Sequence, residues 1–436
     1  MSRKRILQMM NRLLRSFLPL LAASTFLIAA PAQQATAGHT GTAQPFVYVT
    51  NSVSNSVSVI DSSTNTVTDT IGVESRPIGI GFTPTASRVY VANSESATVS
   101  VIDATTNAVI ATVPVEQFPQ GLAVSPDRAH AYVVNTSSAS VSVIATATNT
   151  VTATVTVGAT PEGLAITPNA SRVYVASAGT GSVSVIDTAS NTVIATVGVG
   201  DNPIGIAISP DGSRAYVANL LSNSLSVIST ATNTVVATIG MFSPVSIAFT
   251  PDGTRAYVTN SSATTGSVSV VDTATNTVIA TVVVGADDQS LAITPDGTLV
   301  YVACFGSNSV FVIDTATNTV AATVAVGTAP VGVAITPNPL STTSTSLTSS
   351  LNPSVFGEPV TWTATVTTSG TAAPTGTVIF KSDGNNMGTG TLNASGVATF
   401  TSSTLSVGPH RITAVYKGNA SNLASTSPIL NQGVKE

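Results

Sequence analysis

Tyr48-Val49-Thr50-Asn51 decides the reading of the chain, because the sequence returns to it six more times. Tyr-Val followed by a small residue recurs at Tyr90, Tyr132, Tyr174, Tyr216, Tyr257 and Tyr301, at steps of 42, 42, 42, 42, 41 and 44 residues. Seven of the eight tyrosines lie on this one lattice. A period near 42 marks one supersecondary unit that cannot bury its own apolar faces and must stack on its neighbours.

The stretch Gly205 to Gly240 shows the plan of a unit. A strand, Ile206 to Ser209, ends at the turn Pro210-Asp211-Gly212. A second strand spans Arg214 to Ala218 and a third Leu225 to Ile228. The turn Ala231-Thr232-Asn233 leads to a fourth, Thr234 to Ile239, closed by Gly240. Short β-branched runs bounded by Pro, Gly, Asn and Asp predict a four-stranded antiparallel meander. Seven such sheets predict an all-β, seven-bladed β-propeller.

The ends of the array favour a ring over a linear β-solenoid. Tyr48 has no preceding strand of the Ile-Ser-Pro-Asp type, whereas the last repeat is followed by an unmatched one, Val333 to Asn338. That C-terminal strand is expected to complete the first blade and close the ring, removing the free edge between first and last blades. The fourth strand of each unit, Thr-Val-x-Ala-Thr-Val as in Thr192 to Val197, should be outermost and form an exposed, uncharged edge.

Composition bounds the rest. Apolar residues make up 43% of the chain and charged residues only 8%, against roughly 25% charged in an average soluble protein. Five of the fifteen basic residues lie in the first fifteen positions, followed by the apolar stretch Phe17 to Ala30 and by Ala35-Thr36-Ala37. This order predicts a secretory signal peptide over residues 1–37 and a short leader over 38–45. The apolar stretch contains Pro19 and falls short of the roughly 20 residues a spanning helix needs, so no transmembrane segment is expected in the mature chain. Residues 46–339 hold six arginines against seventeen carboxylates, a net charge of −11. Nucleic acid is therefore not an expected partner. The single cysteine, Cys304, excludes an internal disulfide.

Beyond Pro339 the lattice stops. Residues 340–436 begin with a Ser/Thr-rich linker, then alternate over Val360 to Val366, Gly376 to Phe380, Gly396 to Phe400 and Ile412 to Tyr416. Short strands with turn signals over some ninety residues predict a β-sandwich. Trp362, mid-strand, is its expected core anchor.

The repeat resembles the YVTN-type β-propeller repeat of secreted bacterial and archaeal surface proteins. The naming tetrad stands at Tyr48 to Asn51 and Tyr257 to Asn260, accompanied by Ser209-Pro210-Asp211-Gly212, Val59-Ile60-Asp61 and Thr64-Asn65-Thr66-Val67. The likeness covers residues 46–339. It departs at Ser177 and Cys304, which replace the tetrad Asn, and at Ala145 and Ser229, which replace the Asp after the third strand. The Gly-His and Trp-Asp pairs of WD-repeat propellers are missing. The tail resembles a bacterial Ig-like repeat through Gly357-Glu358-Pro359-Val360-Thr361, Pro374-Thr375-Gly376-Thr377-Val378 and Ala414-Val415-Tyr416. These resemblances imply an exported binding or structural role. Neither brings a catalytic residue set, and no cofactor is expected.

Carboxylates recur because turns recur. Asp61, Asp103, Asp187, Asp272 and Asp314 follow the third strand, and Asp211, Asp252 and Asp296 stand in Pro-Asp-Gly turns, where Asp accepts backbone N–H bonds. Informative positions are those that break the repeat. Loops leading from one blade's outer strand to the next blade's inner strand should converge on one mouth of the channel. There stand Arg76, Gln117, Phe118, Gln120, Glu162, Asp201, Asn202, Phe242, Asp287, Asp288 and Gln289. Of these, Arg76, Gln120, Glu162, Asp201, Asn202, Asp287, Asp288 and Gln289 are the candidate ligand-binding rim. Glu162, Asp201, Asp287 and Asp288 would form an acidic ring suited to a cation, a polyol or a sugar, set against the alternative of a solvated loop rim.

The expected function is a non-catalytic cell-surface or extracellular binding and scaffold protein. Its propeller mouth would recognise a ligand such as a glycan or wall polymer, its Ig-like module would act as spacer, and its Thr/Val outer edges would allow lateral self-association. The rival class is a propeller enzyme. A lactonase would use Asp287, Asp288 and Glu162 with a divalent ion, whereas a quinone-cofactor dehydrogenase usually docks its blades with a Trp motif and this propeller has no Trp.

Overall fold

Four strands per repeat, each only six or seven residues long, form in every one of the seven expected blades. The chain is seen in a computed structural model that describes residues 45–337, 341–370, 373–419 and 422–436. The signal peptide and all of the leader except Pro45 lie outside the described residues. In blade 5 the strands are Pro203–Ile208, Arg214–Asn219, Ser224–Ser229 and Thr234–Gly240, paired in that order. The innermost strand begins three residues before the sequence pattern shows it, because a bulge separates the Pro203–Asn219 pair from the regular ladder at Ile206–Val217.

Blade 1 is assembled from both ends. Its inner strand is Pro330–Ile335, which pairs antiparallel with Phe46–Asn51 and places Tyr48 opposite Ala334. Consecutive inner strands touch all the way round, including the inner strand of blade 1 against those of blades 7 and 2. The ring is closed as the missing first strand implied.

Packing on both blade faces explains the Val-Ser alternation. Each central strand is buried almost throughout, so the serine face is not a solvent face. It is a thin, hydroxyl-bearing face held by the last residue of the tetrad. Asn219 Nδ2 donates to Ser224 Oγ (3.3 Å) and Ser226 Oγ (2.9 Å), and Asn51, Asn93 and Asn135 repeat this pattern. The valine face fills the seams between blades. Tyr216, Leu225 and Val227 of blade 5 pack with Ile247, Val258 and Val271 of blade 6. Tyr301 and Val312 of blade 7 pack in the same way with Val47 and Ile60 of blade 1. Burying one such aliphatic side chain contributes about 1.5–3 kcal/mol.

Tyrosine also carries a polar latch. Tyr48 Oη donates to Asn107 Oδ1 of the next blade (2.6 Å), Tyr216 to Asn276 (2.6 Å), and Tyr301 of blade 7 to Asn65 of blade 1 (2.7 Å). The acceptor is the Asn of the Thr-Asn-Thr turn. That residue has a left-handed backbone in every blade, φ 53° to 55°, a conformation that Asn tolerates better than most side chains. Asn therefore makes the hairpin and receives the neighbouring blade; Gly would make only the hairpin. Arg88, Arg172 and Arg255 add a guanidinium bond to the next blade's carbonyl at Thr146, Thr230 and Thr315. For the tyrosine latch the seam between blades 3 and 4 is the exception: Asn191 Oδ1 is buried without a partner, and His130 stands where the two neighbouring seams have their bonded arginine.

The outermost strands are exposed as expected, with Ile194 and Ile279 about half exposed. Only Asp69 charges any of these seven strands. Each carries a bulge against the third strand, for example between Val185 and Ile186, which kinks an edge that charge does not blunt.

The C-terminal module is a two-sheet sandwich. Thr343–Ser349, Val360–Thr368 and Val397–Ser402 form one sheet. The other contains Ser354–Val355, Leu430–Lys435, Gly408–Tyr416, Thr377–Ser382 and Asn385–Thr391. Trp362 is fully buried beside Phe400, whose ring also stacks on Phe380. Gly388 makes room for that ring: a Cβ there would lie 2.1 Å from Phe400 Cε2.

The candidate channel mouth

One backbone corner, repeated seven times, builds the mouth. The residue before each inner strand has a left-handed backbone: Arg76, Phe118, Thr160, Asn202, Ser243, Asp287 and Ala329, with φ between 45° and 61°. None is glycine. Its carbonyl is fixed by the residue after the tetrad, as in Ser94 N–H to Arg76 O (2.9 Å) and Phe305 N–H to Asp287 O (3.0 Å). The backbone is thus held without using the side chain, which is why variability collects here.

The next level belongs to the inner strands themselves. Their second residues are Ile78, Gln120, Glu162, Ile204, Val245, Gln289 and Val331. Gln120, Glu162 and Gln289 are therefore strand residues, not loop residues as the sequence reading had them. The third residue is glycine in five blades, because adjacent inner strands nearly touch. A Cβ on Gly121 would lie 2.4 Å from Glu162 O, and one on Gly205 would lie 2.1 Å from Val245 O.

Blades 2 to 4 carry a polar arc. The Arg76 guanidinium lies 5.2 Å over the Phe118 ring and 3.6 Å from the Glu95 carboxylate. Stacking and pairing together orient it. Glu162 is half-buried; burial pushes its carboxyl up to about 7, and the Gln120 side chain works against that rise by hydrogen bonding. The other rim candidates do not join this arc. Asp201 is exposed and Asn202 occupies the corner before blade 5. Gln289 reaches back to the Asp287 carbonyl (3.4 Å), and burial raises the Asp287 carboxyl.

Asp288 is not a rim residue. It starts the inner strand of blade 7, where the other six blades have proline, and it is fully buried. The proposed acidic ring is thus broken up: one carboxylate on an inner strand, one exposed, one at a corner, one inside a seam. Among the described residues no three His, Cys, Asp or Glu side chains lie together to hold a metal. Cys304 is fully buried, and burial together with Asp288 pushes its thiol up to about 12, which leaves it unreactive.

The recurrent turn carboxylates do what their positions predict. Asp211 accepts from Ser209 Oγ (2.5 Å) and Ser213 N–H (3.0 Å), and these bonds hold its carboxyl down at about 2. At the turn end of blades 4 and 5, a depression of about 340 Å³ opens between Asn169, Arg172, Asp211 and Thr230. Sequence gave no signal for it, because every residue there also has a turn or seam role.

Closed ring and sandwich define the class: a β-propeller joined to an Ig-like module. Residues 10–131 match the YNCE-like beta-propeller family model, and residues 347–435 match the bacterial Ig-like domain (group 3). No curated protein matches the chain. Among solved structures it is similar to Kuenenia stuttgartiensis hydrazine synthase, with 25% identity over 61% of this chain and 91% of that one, TM-score 0.57. A functionally unknown protein from Desulfotomaculum acetoxidans shows 20% identity over 66% and 98%, TM-score 0.59. A candidate 6-phosphogluconolactonase from Bacteroides uniformis shows 17% identity over 67% and 99%, TM-score 0.59. The last two likenesses establish shared fold alone. The two modules together support a surface or binding-type protein. Among the described residues no helix is long and apolar enough to cross a membrane.

Proposed function

We propose that this protein is exported and acts outside the cell as a non-catalytic binding and scaffold protein. The propeller mouth takes a hydroxyl-rich ligand, a glycan or wall polymer, and the Ig-like module spaces or attaches it. The arc of Gln120 and Glu162 beside the Arg76–Phe118 stack carries this reading. It sets an amide, a carboxyl and a stacked guanidinium within a ring of inner strands whose other second residues, Gln289 apart, are aliphatic. Such a mixture of apolar wall and a few polar groups suits an uncharged, hydroxylated ligand. The same reading includes lateral association through the uncharged outer edges; a strictly monomeric sedimentation profile at high concentration removes that part alone.

The experiment is a thermal-shift panel on residues 38–436 with wall glycans, lactones, quinone cofactors and divalent ions, repeated with Gln120→Ala/Glu162→Ala. A ligand at a hundred times its dissociation constant adds about 2.7 kcal/mol. A glycan shift abolished by the double substitution supports the proposal. A shift that requires a divalent ion, together with lactone turnover, replaces it with the enzyme reading.

A further inference from the structure

Blade 7 departs from the common pattern where its inner strand meets blade 6. Asp288 stands in place of proline, and Cys304 and Phe311 replace the Asn and Ser that bond one another in blades 1, 2, 3, 5 and 6. The Asp288 carboxylate is fully buried. Its Oδ2 accepts the Asn260 N–H of blade 6 (3.0 Å), while Oδ1 has no partner. Gly266 is pressed against it: a Cβ there would lie 2.4 Å from both Asp288 Oδ1 and Gly285 O.

The surroundings lack a countercharge. The 261–266 segment has no titratable residue, the facing strand of blade 7 offers the Cys304 thiol, and the neighbouring charge is the Asp287 carboxylate. On blade 6, Arg255 lies at the other end of its strand, donating to the Thr315 carbonyl. What this pocket lacks is a donor. Asp288 Oδ1 is its orphan acceptor; the orphan Oδ1 of Asn260 lies on the other face of blade 6 with Ser267 and Ser269, as the tetrad Asn does in other blades. A proton on the carboxyl supplies the one missing O–H, whereas an ionised carboxylate there keeps its desolvation penalty.

We propose that Asp288 is a proton-operated latch between blades 6 and 7, closing the 261–266 segment and the mouth corner at 285–289 when protonated and loosening them when ionised. The direction follows from linkage. The carboxyl is raised to about 7, mainly by burial, so the closed seam binds the proton more tightly than the open one. Opening is least favoured below the ordinary carboxyl range. It rises tenfold per pH unit from there to about 7, then levels off. Between pH 5 and pH 8 the seam-opening equilibrium should grow by up to about a hundredfold. Because Asp287 and Gln289 flank the latch, the shape of the mouth follows pH.

Hydrogen exchange of the full chain at pH 5 and pH 8, corrected for intrinsic rates, tests this on the wild type, Asp288→Pro, Asp288→Asn and Asp287→Asn. Amides of 260–266 and 285–291 should lose protection at pH 8 in the wild type, while the equivalent segments of blade 5 do not. Asp288→Pro, which installs the residue of the other six blades, should remove the response; should Asp288→Asn fail to fold, this variant decides. A seam indifferent to pH, or a response that survives in Asp288→Pro and disappears in Asp287→Asn, overturns the proposal.

Discussion

Blades 5 and 7 have the same four strands in the same register, yet they are stabilised differently. In blade 5 four repeated residues meet their expected partners: Pro203 begins the inner strand, Gly205 admits the neighbouring carbonyl, Asn219 bonds two serines, and Tyr216 latches Asn276. Blade 7 keeps the tyrosine latch and changes the other three, to Asp288, Ser290 and Cys304. Backbone pairing, apolar burial and the tyrosine latch therefore suffice to build a blade, and the rest of the polar pattern is free to vary. The difference shows where the fold tolerates change, at the mouth end of the inner strand.

The largest effect should come from closing the space that blade 5 keeps open. Gly205→Val pushes a branched side chain into the Val245 carbonyl, 2.1 Å from the Cβ position. Inner strands on both sides are held by pairing, so relief requires backbone movement, and a loss of about 3 kcal/mol or more is expected in chemical denaturation. Ser290→Val, at the equivalent position of blade 7, should cost clearly less; equal losses would mean that blade 7 is packed like the rest.

Next comes Asp288→Pro, which makes blade 7 resemble blade 5. The Asp288 carboxyl is raised, so the folded chain holds that proton more tightly than the unfolded chain. Its contribution is fully present below the ordinary carboxyl range and is lost as pH rises to about 7. Wild-type stability should thus fall by something on the order of 2–4 kcal/mol between pH 4 and pH 8 through this group, and Asp288→Pro should flatten that part of the profile. A profile unchanged by the substitution would show that the carboxyl is solvated.

Cys304→Asn tests whether the tetrad Asn is useful without its serines. In blade 7 the inner of the two serines is Phe311, so the amide would be buried with Ser309 alone to receive it. A cost of about 1–3 kcal/mol is expected. Adding Phe311→Ser should recover part of it, giving a coupling energy of about 0.5–3 kcal/mol in the double-mutant cycle.

How much of this was legible follows from how many blades repeat it. Blade count, strand order and the closing strand could be read because Tyr48, the Pro-Asp-Gly turns and the orphan Val333 to Asn338 are local signals on one lattice. The tyrosine–asparagine latch was not legible. Asn107 lies 59 residues from Tyr48, and turn chemistry already accounts for an Asn there. The mouth was legible as a place but not as an arrangement. Sequence variation marked Glu162 and Asp288 alike, since both break the repeat. Only the pleat separates them: the first residue of an inner strand turns into the seam, and the second stays partly open. Leu430–Lys435 escaped because its polar residues, Asn431 and Gln432, interrupt the alternation; Gln432 is buried through bonds to Ser349 Oγ and Leu351 O.

The smallest effect is also the sharpest comparison between seams. Tyr216→Phe removes a donor from Asn276 and leaves a buried acceptor, so a loss of about 1 kcal/mol is expected. Tyr132→Phe should cost almost nothing by the same assay, because Asn191 Oδ1 has no partner to lose. The seam between blades 3 and 4 is then held by apolar packing of Tyr132, Val141 and Val143 against Leu164 and Val175, without the arginine bond of its neighbours. If Tyr132→Phe costs as much as Tyr216→Phe, the latch closes at this seam in solution as well, and the ring is more uniform than its residues suggest.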